Sequence, residues 1–156
     1  MATDLAATTE EANRALIKGV YDSAAAGDVG PLFAVMAEDF TATEDPSLPW
    51  GGTYRGLAEN QRLVGRLALY LDFSTLAMHH YLVDRELVIA YGSVLRSVDR
   101  VEVPLAEVWE IRDGKAVSLR PFLWDTGSFT PAPGDGAGDP DTHPGARTGT
   151  STGEVR

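Results

Sequence analysis

The chain has 156 residues, 44% of them hydrophobic, which suits one domain with a sizeable core and is too short to expect two. Its formal charge of −10 makes long-range interaction with nucleic acid or anionic lipid repulsive, so neither is an expected partner. The absence of cysteine excludes disulfides, thiolate nucleophiles and cysteine-ligated metals.

The N-terminal sequence MATDLAATTEEANRALIKGV lacks the basic start and the continuous apolar run of a secretory signal. No other stretch approaches the roughly 20 apolar residues that a membrane span needs. We therefore expect a cytoplasmic protein that does not enter a membrane.

Three helices are predicted in the first half of the chain. Apolar residues recur at three- and four-residue spacing over residues 12–24, and Thr8 with Glu11 forms a capping box that predicts the start of this first helix. Pro31 suits the first turn of a short second helix, because its ring presets the helical backbone angle. A third helix is predicted over residues 57–71.

The second half of the chain is predicted to form strands. The turn RDGK joins the last two, since Asp113 and Gly114 tolerate the positive φ angles of a tight hairpin. Helices followed by an antiparallel meander predict an α+β domain with the helices on one face of a curved sheet. The predicted strands cover residues 40–44, 73–83, 86–97, 101–112 and 116–125.

The composition changes at Thr130, after which Pro, Gly, Asp, Thr and Ala dominate. Such a segment buries too little apolar surface to offset the entropy of ordering it. We predict a folded domain over residues 1–129 and a disordered tail over residues 130–156.

The segment EDPSLPWGGTYRG lies between the first predicted strand and the third helix. A plain connector needs only Gly, Pro and small polar residues, yet this one carries Glu44, Asp45, Trp50, Tyr54 and Arg55. The added carboxylates and aromatic rings predict the mouth of an apolar pocket.

Two segments carry a family resemblance. YDSAAAGDVGPLFAVMAEDFTATEDP resembles the opening of the cone-shaped fold shared by ketosteroid isomerases, SnoaL-like polyketide cyclases, limonene epoxide hydrolases and nuclear transport factor two. VPLAEVWEIRDGKAVSLRPFLWDTGSF resembles its closing hairpin, so that the match covers about residues 10–129. The resemblance implies a cavity between helices and concave sheet, a small hydrophobic molecule as ligand, and a homodimer formed through the outer face of the sheet.

The ketosteroid isomerase pattern is matched only in part. The positions of its two oxyanion donors fall on Val20 and Ala106, neither of which can donate a proton, and this argues against steroid-type enolisation. Its catalytic base corresponds to Glu44 or Asp45, which point to opposite faces of a strand. We favour Asp45 as the inward group, because Pro46 forces it into extended geometry.

The other family patterns leave Asp125 as the principal candidate. The Arg and Asp pair of the epoxide hydrolases is replaced by Tyr91 and Ser93, and only their third residue corresponds to Asp125. A SnoaL-like cyclase would have a His at the position of Glu107 and an Asp at Asp125. Of the three family patterns, that of the SnoaL-like cyclases therefore has the fewest positions that this sequence fails to match.

Each candidate also has a plain structural interpretation. If Asp125 or Asp45 lies in an apolar cavity, its pKa rises toward neutrality. In the alternative, Asp125 ends a strand at the surface and Asp45 starts a turn through its side chain, and both are exposed. Glu107 either reaches into the cavity or lies on the outer face and pairs with Arg96. Arg120 is placed to pair with Asp125 or Glu44 and so to lower the carboxyl pKa.

An aromatic wall for a hydrophobic ligand is the other predicted feature, with ordinary core packing as the alternative. Its members are Trp50, Tyr54, Tyr91, Phe122 and Trp124. No metal site is expected, because His79 and His80 are adjacent and face opposite sides of a strand. Ser93 has no evident His partner for nucleophilic catalysis.

The leading hypothesis is a cofactor-free enzyme of secondary metabolism that cyclises or isomerises a small polyketide- or terpenoid-like intermediate. A non-catalytic ligand-binding or dimerisation module is the alternative, and epoxide hydrolysis comes third. The predicted catalytic residues are Asp125, Asp45 and Glu44. The predicted substrate-binding residues are Trp50, Tyr54, Tyr91, Ser93, Glu107, Arg120, Phe122 and Trp124.

Overall fold

Residues 2–131, the part of the chain that the computed structural model describes, contain three α-helices, six strands and one short 3-10 helix (Thr126–Ser128). Apart from its first two residues, the predicted disordered tail lies outside the described residues. The helices are α1 (Ala2–Ala25), α2 (Gly30–Val35) and α3 (Gly56–Leu67). The strands are β1 (Met36–Glu44), β2 (Gly52–Arg55), β3 (Leu71–Asp84), β4 (Leu87–Arg96), β5 (Glu102–Arg112) and β6 (Lys115–Leu123).

The strands form a single sheet in the order β2-β1-β6-β5-β4-β3. β3 to β6 are the predicted antiparallel meander, and the hairpin between β5 and β6 turns at Asp113 (φ 49°) and Gly114 (φ 72°) as expected. β1 lies parallel to β6, so the sheet is mixed. The helices pack on this sheet, which confirms the α+β class.

Several element boundaries differ from the prediction, and the start of α1 and the presence of β2 are the main differences. α1 begins at Ala2, so Thr8 and Glu11 lie within the helix and do not cap it. The segment before Thr8 is rich in Ala and contains no Gly or Pro, and nothing in it stops a helix from extending. β2 was not predicted, because a four-residue strand that begins with Gly is too short to show alternation.

The strand pleat decides what faces the helices. Residues at alternate positions of β5 turn inward, and Trp109 and Ile111 are almost fully buried there. α1 packs across β3 and α3 packs against β1, and Ile17 and Phe40 fill the space between the layers. None of the helices within residues 2–131 has the length and apolar character that a membrane crossing requires.

Candidate active site

A cavity of about 100 Å³ lies between the three helices and the inner face of the sheet. Its walls are mainly Leu, Val, Ala, Phe and Met side chains. The hydrophobic walls are interrupted by two carboxylates, Glu44 at the end of β1 and Glu107 in the middle of β5. The other polar groups along the wall belong to Tyr21, Trp50, Asn60 and Trp109.

Glu44 is the carboxylate that water reaches least, since only 4% of the residue is exposed. The indole nitrogen Nε1 of Trp50 donates a hydrogen bond of 3.1 Å to its Oε2. Burial and, to a smaller extent, the negative charge of Glu107 raise the pKa of Glu44 to about 8, although the hydrogen bond from Trp50 acts in the opposite direction. Glu44 is therefore protonated at neutral pH.

Glu107 is held from the opposite wall. The phenol of Tyr21 on α1 donates a hydrogen bond to Oε2 of Glu107, and the same phenolic oxygen accepts a hydrogen bond of 2.7 Å from Nε1 of Trp109. Burial raises the pKa of Glu107 more than the hydrogen bond from Tyr21 lowers it, and the resulting pKa is about 7. Burial, with the charge of Glu107, raises the pKa of Tyr21 well above its usual value, which keeps the phenol a donor.

The loop between β1 and β2 brings Trp50 back over Glu44. Asp45 opens the turn by accepting hydrogen bonds from the amide nitrogen (2.8 Å) and the hydroxyl (2.7 Å) of Ser47. The Trp50 ring then packs between Tyr70, at 4.7 Å between centroids, and Phe129, at 5.1 Å. The loop thus places one indole donor against one buried carboxylate.

The prediction that Asp45 faces the cavity is wrong. Phe40, Ala42 and Glu44 share one face of β1 and are all buried, whereas Asp45 follows the strand and is exposed. The hydrogen bonds from Ser47 lower its pKa, so Asp45 serves as a turn-forming carboxylate.

Asp125 also lies outside the cavity. Inward positions of β6 are Leu119, Pro121 and Leu123, and the strand ends at the last of these. Asp125 would share their side, but it adopts a left-handed backbone conformation (φ 57°) and is exposed. Positive φ at an Asp is tolerated in a turn, and here it redirects the chain away from the sheet.

Most of the predicted aromatic wall lies on the other side of the sheet. Tyr91 pairs with Ala106, which pairs with Phe122, so this row crosses the outer face. Trp124 lies farther along the same face as Phe122. The exposed fractions of Tyr91, Phe122 and Trp124 are 47%, 55% and 75%, and Ser93 and Arg120 also lie on this outer face.

Besides the predicted catalytic candidate Glu44, three of the predicted substrate-binding residues lie at or near the cavity. Trp50 lines it, and Tyr54 supports the loop behind it by donating a 2.6 Å hydrogen bond to the Trp50 carbonyl oxygen. Of the two orientations considered for Glu107, the structure has the inward one. Arg96, its alternative partner, instead pairs with Asp99.

Tyr21, Asn60 and Trp109 line the cavity but were not predicted as site residues, and Tyr21 matters most because it contacts a carboxylate. The family pattern placed the two donors at Val20 and Ala106, each one residue before the groups that face the cavity, Tyr21 and Glu107. A one-residue shift in both segments would have found them. The available signal was that Tyr21 lies on the buried face of α1 four residues after Ile17.

The described residues contain no group of three or more His, Cys, Asp or Glu side chains placed to hold a metal ion. The lining of the cavity also includes no Lys, Arg or His. The polar groups that line the cavity are therefore two carboxylates, one phenol, two indoles and the Asn60 amide.

Comparison with known proteins identifies the family. The model of the SnoaL-like domain matches residues 17–119. No curated protein matches the sequence. The fold is similar to that of an NTF2-like protein of unknown function from Burkholderia pseudomallei, with a TM-score of 0.66 and 20% identity over 74% of this chain and 92% of the other.

Two further structures are similar. One is an NTF2-like protein from Burkholderia thailandensis, with a TM-score of 0.64 and 27% identity over 73% of this chain and 91% of the other. The second comes from Jannaschia and is named after the SnoaL-like polyketide cyclases, with a TM-score of 0.62 and 14% identity over 74% of this chain and 87% of the other. The family match covers well over half of the chain, which therefore belongs to the SnoaL-like domain family of the NTF2-like superfamily.

Proposed function

We propose that this protein is an enzyme that moves a proton between two carbon atoms, or between carbon and oxygen or nitrogen, of a small and largely apolar substrate. One observation carries the proposal: Glu44 and Glu107 line the same apolar cavity and both titrate close to neutral pH. Carboxyl groups with pKa values near the working pH are efficient proton donors and acceptors.

The environments of the two groups assign their roles. Glu107 has the lower pKa, because the Tyr21 phenol stabilises its ionised form, so it is the general base. Glu44 has the higher pKa, because it is deeply buried and feels the charge of Glu107, so it is the general acid. The pair as a whole holds about one proton between pH 7 and pH 8.

Isomerisation and cyclisation both fit this arrangement. The base removes a proton next to a carbonyl or an imine, and the acid returns one at a second atom, so no oxidation state changes and the step requires no cofactor. The Jannaschia relative named after the polyketide cyclases is consistent with such chemistry in this fold. The substrate class proposed from the resemblance is a small polyketide- or terpenoid-like intermediate.

Hydrogen–deuterium exchange tests the proposal without knowledge of the natural substrate. A panel of small cyclic ketones and imines is incubated with the protein in D₂O, and loss of the α-proton signals is followed by ¹H NMR. We expect the wild-type protein to accelerate exchange of at least one compound and Glu107→Gln to lose that acceleration. The proposal fails if wild type and Glu107→Gln exchange every compound at the rate of buffer.

A homodimer is proposed as the assembly, formed through the outer face of β4, β5 and β6. Tyr91, Ala106 and Phe122 form one cross-strand row there, and Ser93, Pro104 and Trp124 form the next. Monomeric proteins rarely leave a continuous group of large apolar side chains exposed. An exposed apolar sheet face of this kind is suited to pack against its own copy across a two-fold axis.

A further inference from the structure

We propose that the cavity selects a small apolar ligand that carries one positive charge on nitrogen, an ammonium or iminium group, and rejects anionic ligands. The inference concerns the charge of the ligand. It rests on the proposed function only in placing the ligand between Glu44 and Glu107.

The first argument for a cationic ligand is the balance of acidic and basic side chains in the cavity. Two carboxylates face the cavity, and no basic side chain is found among the residues that line it. The donors that hold the two carboxylates are neutral, an indole for Glu44 and a phenol for Glu107. A buried carboxylate pair without a cationic partner is costly to ionise, and without a ligand it retains a proton.

A cationic ligand supplies the positive charge that the two carboxylates lack. With a positive charge between them, both carboxylates can ionise, so the ligand replaces the shared proton in a medium where charge interactions are strong. An anionic ligand would add a third negative charge to the same cavity. A neutral ligand would gain only the apolar contacts.

The walls of the cavity favour the same class of ligand. The aromatic rings of Phe40, Trp50, Phe73 and Trp109 are among its lining residues. The face of an aromatic ring attracts an organic cation, most strongly where water is excluded, while the remaining walls contact its hydrocarbon part.

The size of the cavity limits the ligand further. At about 100 Å³ it is smaller than the roughly 150 Å³ apolar cavity that binds benzene in another protein. A ligand no larger than one small ring fits without rearrangement of the walls. A fused polycyclic substrate would require the helices to move away from the sheet.

A cationic substrate also agrees with the proposed proton transfer. Glu107 would remove a proton from the carbon next to an iminium group, and the bonding electrons would form the carbon–carbon double bond of a neutral enamine. The carboxylate becomes a carboxylic acid in the same step, so charge and atoms balance.

Three probes of nearly equal shape test the inference: cyclopentylamine, cyclopentanol and cyclopentanecarboxylate. Binding is measured by isothermal titration calorimetry at neutral pH and moderate salt. We expect the amine to bind at least about tenfold more tightly than the alcohol, and the carboxylate not to bind. Titrations in two buffers of different ionisation enthalpy should show that binding of the amine releases close to one proton per site.

Matched variants distinguish the effect of the cavity carboxylates on ligand affinity from that of the overall negative charge of the protein. Glu44→Gln and Glu107→Gln should each reduce the affinity for the amine about tenfold or more and leave that for the alcohol unchanged. Asp45→Asn and Asp125→Asn remove the same charge at exposed positions and should change neither affinity. Equal binding of amine and alcohol, or equal loss in the exposed variants, would overturn the inference.

The two proposals fail separately. None of the three probes reacts, so their affinities do not depend on catalysis. Preference for the amine without any hydrogen–deuterium exchange would leave the charge selectivity standing and remove the enzymatic function.

Discussion

The phenol of Tyr21 donates a hydrogen bond to Glu107 and joins the first helix to the fifth strand across 86 positions of the sequence. The same oxygen accepts a hydrogen bond from Trp109, two residues farther along that strand. The phenol is thereby fixed in orientation, with its proton directed at the carboxylate. This contact lowers the pKa of Glu107, which burial otherwise raises.

Tyr21→Phe tests that contact. Loss of the phenol removes the hydrogen bond that lowers the pKa of Glu107, so this pKa should rise above about 7. It also leaves the Trp109 indole without its acceptor, and the free energy of unfolding should fall by about 1 to 3 kcal/mol. Carboxyl ¹³C NMR titration measures the first effect and urea denaturation the second.

Tyr81→Phe is the matched control, because the Tyr81 ring lies 6.2 Å from that of Tyr21 but is not a partner of Glu107 in any hydrogen bond described here. It should leave the Glu107 titration nearly unchanged. An unaltered Glu107 pKa in Tyr21→Phe would show that the phenol does not control ionisation.

Stability should fall as pH rises from about 4.5 through about 8. Glu44 has a pKa near 4.5 in the unfolded chain and about 8 in the folded one, so the folded state binds more protons over this interval. Each pKa unit corresponds to about 1.4 kcal/mol, and the burial of Glu44 costs up to about 5 kcal/mol once it is fully ionised.

Glu44→Gln should flatten this pH profile and stabilise the protein at high pH. The amide oxygen can still accept the hydrogen bond from Trp50, but it carries no charge. Urea denaturation at about pH 5 and about pH 9 measures the difference. Glu38→Gln, an exposed position on the same strand, is the control, and a profile that stays as steep in Glu44→Gln as in Glu38→Gln would contradict the assignment.

Asp125→Asn should change neither the exchange activity nor the stability of the protein. The carboxylate is exposed and lies outside the cavity, and Asn tolerates the positive φ of 57° at this position. We expect unchanged hydrogen–deuterium exchange and a Tm within about 1 °C of wild type. A large loss of exchange activity would show that Asp125 is needed for catalysis and would argue against Glu107 as the general base.

Gly51→Ala should destabilise the loop over the cavity. A Cβ atom at this position would lie 2.4 Å from the Asp45 carbonyl oxygen and 2.7 Å from Cα of Pro46. Relief of these backbone contacts should cost about 1 to 3 kcal/mol and displace Trp50 from Glu44, which Trp fluorescence reports. Gly65→Ala is the contrast: it lies in α3 with open space around it and should stabilise the protein by about 0.5 to 1 kcal/mol.

Phe122→Glu should give a folded monomer. The side chain is 55% exposed, so the substitution costs little within one chain, while two copies of the variant would place carboxylates against each other on the outer face. Light scattering coupled to size-exclusion chromatography gives the mass. Val98→Glu, at an 88% exposed position between β4 and β5, should retain the wild-type mass. A wild-type mass of one chain would disprove the dimer.

Much of the fold follows from local patterns in the sequence. Alternation along the predicted strands, the Asp113 and Gly114 hairpin and Pro31 at the start of α2 all depend on neighbouring residues, and each is found in the structure. The resemblance to the cone-shaped fold rests on the same kind of local segment. Strand parity alone places Glu107 on the same face as Leu105 and Trp109.

Which residues form the site depends on where the helices and strands end and on how they pack. Two more residues of strand would have turned Asp125 inward, and one residue of register decides between Val20 and Tyr21 on α1. Which face of the sheet the helices cover decides whether Trp124 belongs to a cavity wall or to an exposed surface. Side-chain pattern predicts that two faces exist, whereas only packing across many residues determines which one excludes water and so shifts the pKa of a carboxyl group.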